Sequence, residues 1–111
     1  MFIPPSFGTV APYFFMRDAE RFVDFLVKGL GGVEIGRHLR PDGRIANAQV
    51  RLNTSTVMVS EASEKYPPMP ASYYLYVEDA HATMAQALAH GATLEMAVAD
   101  GSFREDLYYR I

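Results

Sequence analysis

Three histidines, thirteen carboxylates and seven tyrosines are the side chains of this 111-residue chain best suited to proton transfer, metal binding or oriented hydrogen bonding. Cysteine is absent, which removes thiolate nucleophiles, thiolate metal sites and disulfides, and fits a reducing compartment. His81 and His90 stand nine residues apart in a helical stretch, about 180° around its axis, so they cannot share a metal. His38 stands alone in a strand-like segment, where a solvent-facing or hydrogen-bonded role suits it better than chemistry, as it does the other two histidines. Glu61, Glu64 and Lys65 cluster in "EASEK", a pattern that suits a solvated strand end. No Ser-His-Asp order, phosphate-cradling glycine loop or dinucleotide fingerprint is present. "GLGG" (29–32) closes a helix, so a phosphate there would meet the unfavourable end of the dipole.

The elements that must position these side chains are read from periodicity and turn residues. "TVAPYFFM" (9–16) has the β-branched and aromatic content of a strand. Asp18 is a helix N-cap candidate, and "AERFVDFLVKGL" places Phe22, Phe25, Leu26 and Leu30 at helical spacing. Strands are expected at 33–39, 44–52 and 55–62, with turns at Pro41-Asp42-Gly43 and Asn53-Thr54. In "RIANAQVRL", Ala46, Ala48, Val50 and Leu52 share one face and Asn47, Gln49 and Arg51 the other. Three prolines make "YPPMP" (66–70) a connector.

The pattern then begins again. "ASYYLYVEDA" (71–80) respells "VAPYFFMRDA" (10–19), with a strand expected at 71–77, Asp79 where Asp18 stood, and the two Asp-Ala pairs 61 residues apart. An Ala-rich helix ended by Gly91, a strand "ATLEMAVA", an Asp100-Gly101 turn and a strand in "FREDLYYRI" follow. A duplicated unit is expected: module one at about 9–62, a connector at 63–70 and module two at about 71–111, all within a single domain.

The ordered set "PYFFMRDAERFVDFLVKGLGGVEIGR", "DGRIANAQVRLNTSTVMVSEA" and "YYLYVEDAHATMAQALAHGATL" resembles the vicinal oxygen chelate superfamily. Within it, the chain is most similar to the PhnB-like branch of the glyoxalase/bleomycin resistance protein/dioxygenase family. The resemblance implies an α+β fold of two paired βαβββ modules around a shared cavity, assembled as a homodimer. The second module is expected to stop before its last strand. Family enzymes hold a divalent metal in that cavity as a Lewis acid. Carried onto this sequence, the ligand positions fall on Ala11, Met58 and Ser72; a one-residue slip of the alignment brings Glu61 or Tyr13 nearby without assembling three ligands. Ala and Met cannot form a hard-cation site, and a serine hydroxyl is a poor lone ligand. No cofactor is expected.

If those positions face the cavity, strand alternation turns Tyr13, Phe15, Thr56, Ser60, Tyr74 and Tyr76 the same way. Tyr13, Phe15, Met58, Ser60, Ser72, Tyr74 and Tyr76, with Arg51 from the polar strand face, are the candidate ligand-binding residues. Packing in a core or dimer interface suits the aromatics equally, and solvent suits Asn47, Gln49 and Arg51 better than the cavity. The expected function is metal-independent binding of a small hydrophobic or aromatic molecule. The rivals are a metal-dependent lyase or dioxygenase with displaced ligands, and a non-binding interaction protein. The formal charge of -3 gives no general pull toward nucleic acid or anionic membrane. No apolar run approaches the ~20 residues of a membrane span. "MFIPPSFG" does not read as a secretory signal, so a cytoplasmic location is expected. An open sheet edge invites pairing. Light scattering at micromolar concentration should therefore show a dimer, and a clean monomer would contradict that expectation.

Overall fold

Phe22, Val23, Phe25 and Leu26 form one buried stripe of a helix, and Ala48, Val50, Val57 and Val59 form the buried face of two paired strands. Packing the stripe on that face makes the core. The computed structural model describes residues 2–96 and 108–110. In chain order these contain β1 (Tyr13–Met16), α1 (Ala19–Leu30), β2 (Val33–Leu39), β3 (Ile45–Leu52), β4 (Ser55–Glu61), α2 (Ala80–Ala89), β5 (Thr93–Met96) and β6 (Tyr108–Arg110). The first five form a complete βαβββ module whose sheet has the order β1-β4-β3-β2. β1 runs parallel to β4, with Tyr13 opposite Met58 and Phe15 opposite Ser60. β4, β3 and β2 form an antiparallel meander.

Local chemistry sets the ends of α1. Asp18 adopts a left-handed conformation and its side chain accepts from the Arg21 amide at 3.3 Å. The Glu61 carboxylate, arriving from the end of β4, accepts from the amides of Asp18 at 3.0 Å and Ala19 at 2.9 Å. Two of the orphan donors at the helix start are thus satisfied by a strand 42 or 43 residues away. At the other end Gly31 takes φ +73°, and Gly32 donates to the Leu26 carbonyl at 2.9 Å.

The second copy keeps the helix and a hairpin. Asp79 caps α2 by accepting from the Ala82 amide at 3.0 Å, as Asp18 caps α1. Ala80 and Ala87 are buried, and Gln86 donates to the Lys28 carbonyl at 2.7 Å, tying α2 to α1. β5 and β6 pair antiparallel. The expected strand at 71–77 differs: it has no ladder partner among the described residues. A strand exists through its neighbour, and β1 has β4 where this segment has none among the described residues. It is held instead by Tyr73, whose ring packs on Phe14 at 4.9 Å. The expected Asp100-Gly101 turn lies outside the described residues, as does the strand beyond Met96. Among the described residues no helix is long and apolar enough to cross a membrane.

The Glu61 cap generates a stability prediction. Glu61→Ala should cost about 1–3 kcal/mol in urea unfolding, because two helix amides lose a charged acceptor. Exposed Glu64→Ala should stay within about 0.5 kcal/mol. Equal effects of the two substitutions would contradict the cap.

Candidate functional site

β3 and β4 are two-faced by alternation, and α1 covers only one face. The opposite face carries Tyr13 and Phe15 from β1, Met58 and Ser60 from β4, and Asn47 and Gln49 from β3. Tyr13 and Phe15 are neighbours on that face, and their rings stack at 4.7 Å with an interplanar angle of 11°. Phe15 stacks in turn on Tyr66 of the proline-rich connector at 5.3 Å and 15°. Three near-parallel rings thus form an aromatic row along one side.

Beside the row runs a chain of hydrogen bonds whose direction is determined. Ala46 sits at an irregularity of β3, where the pairing with β2 steps from Leu39–Ile45 to His38–Asn47. Its carbonyl accepts from the Ser60 hydroxyl at 2.5 Å. Ser60 has one proton, so the 2.5 Å contact between Ser60 and Tyr13 hydroxyls must be donated by Tyr13. Tyr13 then accepts from the Asn47 amide nitrogen at 3.2 Å. That turns the Asn47 carbonyl oxygen toward Gln49, whose amide nitrogen donates to it at 3.1 Å. The Asn47 nitrogen also lies 3.6 Å from the Met58 sulfur. The order is Gln49, Asn47, Tyr13, Ser60 and Ala46, and no member is charged.

The candidate residues separate into two places. Tyr13, Phe15, Met58 and Ser60 come together on this face. Thr56, expected to share it, is buried and donates to the Ser6 carbonyl beneath the N-terminal segment. Arg51 lies exposed farther along β3, in a cleft of about 520 Å³ that it lines with Leu52, Leu75, Tyr76 and Val77. Tyr74 and Tyr76 pack on each other at 5.1 Å, and Ser72 is exposed; Tyr76 is 86% exposed. Asn47 and Gln49, which the sequence favoured placing in solvent, belong to the hydrogen-bond chain. Their signal was the register that sets Gln49 opposite Met58. Tyr66 carried no signal beyond its place in a proline-rich connector.

A larger open cleft, about 1150 Å³, lies at the start of α1 and includes Arg17, Arg37, Arg44 and Glu61. Its charges are already committed in part. Glu61 caps α1, and Arg37 pairs with Glu34 at 2.6 Å and with Glu20. The Glu34 hydrogen bond, with help from Glu20, holds the Arg37 guanidinium above its ordinary pKa despite partial desolvation.

The metal positions implied by the resemblance do not fit a metal. Met58 offers a thioether already beside the Asn47 amide, and Ser72 is exposed on the segment without a ladder partner. Among the described residues, no group of three or more His, Cys, Asp or Glu side chains could hold a metal ion. The directed chain generates its own test. A double-mutant cycle of Tyr13→Phe and Ser60→Ala should show a coupling energy of about 1 kcal/mol in unfolding free energy. Additive effects would contradict a bond between the two hydroxyls.

No protein-family model matches the chain. Among curated proteins, Mb0911c of Mycobacterium bovis is 32% identical over 102 aligned residues, covering 82% of this chain and 67% of Mb0911c. Rv0887c of Mycobacterium tuberculosis shows the same identity and the same coverage of this chain, which spans 60% of that protein. Both relatives are uncharacterized. Among solved structures, TioX from Micromonospora sp. ML1 superimposes with a TM-score of 0.64 at 22% identity, covering 86% of this chain and 82% of TioX. The Arabidopsis thaliana At5g48480 gene product also gives 0.64, at 20% identity, covering 83% and 80%. The PhnB protein of Bacillus cereus gives 0.64 at 15% identity, covering 89% and 87%. These neighbours share the glyoxalase/bleomycin-resistance-like fold, as the paired-module reading expected. The chain belongs to the same family as Mb0911c, and its fold is that of the glyoxalase/bleomycin-resistance proteins.

Proposed function

We propose that this protein binds a small, flat, partly aromatic molecule on the open sheet face, without a metal, as a cytoplasmic homodimer whose partner completes the cavity. One observation carries the reading: the stacked row of Tyr13, Phe15 and Tyr66 flanks an uncharged hydrogen-bond chain. Aromatic rows favour stacking, worth about 0.5–1.5 kcal/mol per pair beyond area burial, and the polar chain orients what stacks. The positions that the resemblance implies for a metal carry Ala11, Met58 and Ser72, which supports binding over Lewis-acid catalysis. Tyr74, Tyr76 and Ser72 are exposed, and a partner subunit that covers them would bury aromatic surface in the interface.

Two measurements on one preparation test this. Protein purified without chelator should hold well under one equivalent of nickel, zinc, iron or manganese by elemental analysis. Titration with quinoline should shift the NMR signals of Phe15, Tyr66 and the Met58 methyl group. Stoichiometric metal would favour the lyase or dioxygenase reading, and no shift on the face would exclude the aromatic-binding one.

A further inference from the structure

The hydrogen-bond chain has a free end, and the free end has a definite chemistry. Every group from Ala46 to Asn47 is oriented by the one before it, because a carbonyl can only accept. Gln49 is last. One N–H of its amide is spent on Asn47, and among the described residues its other N–H and its oxygen have no partner. The Gln49 amide reaches over β2, where a Cβ on Gly36 would come to 3.0 Å from Oε1, and a glycine at that position leaves room for it.

We propose that Gln49 selects the ligand, and that the ligand it selects carries a lactam edge, a ring N–H beside a ring carbonyl. This rests on the reading of the face as a binder of flat molecules. A primary amide with one free N–H and one free oxygen matches a partner that both donates and accepts at adjacent atoms. A carboxylate would face the Gln49 oxygen with no proton to give, and an ammonium or guanidinium could not accept from the nitrogen. Either mismatch leaves a desolvated polar group unpaired, the strongest basis for rejection in a site of this kind. Gln49 and Tyr13 lie two strand spacings apart, about 10 Å, across Met58. A ligand paired with the Gln49 edge therefore lies over β3 and β2, on the same open face as the aromatic row.

Three probes decide it by calorimetric titration of the full chain: quinolin-2(1H)-one, its N-methyl derivative and quinoline. The lactam should bind at least tenfold more tightly than the N-methyl compound, which lacks the donor. Gln49→Leu should erase that preference, and Gln49→Glu, which keeps the size and loses the donor, should weaken the lactam at least fivefold. Melting curves confirm that both variants fold. Equal binding of all three probes by the unsubstituted protein would overturn lactam selection while leaving aromatic binding in place. Failure of every probe to bind, including the case of a dimer whose second copy covers the face, would overturn both.

Discussion

Ser60, 3% exposed, has one hydroxyl proton, and its hydrogen bond is donated to the Ala46 carbonyl 2.5 Å away. The polar chain on the open face is oriented by that bond. Tyr13 must donate its own hydrogen bond to Ser60, so its oxygen is left to accept, and the two amides of Asn47 and Gln49 line up behind it. The irregularity in β3 that brings Ala46 within reach is therefore part of the site, as bulges near functional sites commonly are. A buried hydroxyl without an acceptor would cost about 1–3 kcal/mol, so the chain stabilises the sheet as well as shaping its surface.

β4 couples that face to the rest of the molecule. Val57 and Val59 lie in the core under α1, Met58 and Ser60 belong to the open face, and Glu61 caps the helix that covers the core. Parallel pairing with β1 then sets the Tyr13 and Phe15 rings beside Met58 and Ser60. A one-residue slip of β4 would exchange core and face and remove the cap together. The site is rigid at its base because it shares a strand with the core. The connector reaches the face through the ring contact of Tyr66 with Phe15, whereas Tyr73 of the segment 71–77 packs on Phe14, which faces α1.

Much of this was legible in the residues. The helix 19–30, its Asp18 cap and the meander from 33 to 61 follow from spacing, glycine stops and turn residues, and all stand in the structure. The pairing of Tyr13, Phe15, Met58 and Ser60 followed from alternation once the strands were placed. Less legible was anything that depends on which strand lies beside which. "ASYYLYV" has the composition of a strand, yet composition cannot supply a neighbour. Asn47 and Gln49 alternate as a solvent-facing pair would, and only the register with β4 shows that they meet Met58 and Tyr13. Glu61 reads as a solvated strand end until the helix it caps is placed 43 residues earlier.

The relatives extend beyond the length this chain spans, and the fold neighbours share geometry at 22% identity or less. The function therefore rests on the face itself, and its occupant should be located directly. Intermolecular nuclear Overhauser effects from bound quinolin-2(1H)-one would do so. The account predicts contacts from its N–H edge to the Gln49 side-chain amide and from its ring to Gly36 of β2. Contacts to Leu75, Tyr76 and Val77 in the second cleft instead would contradict it.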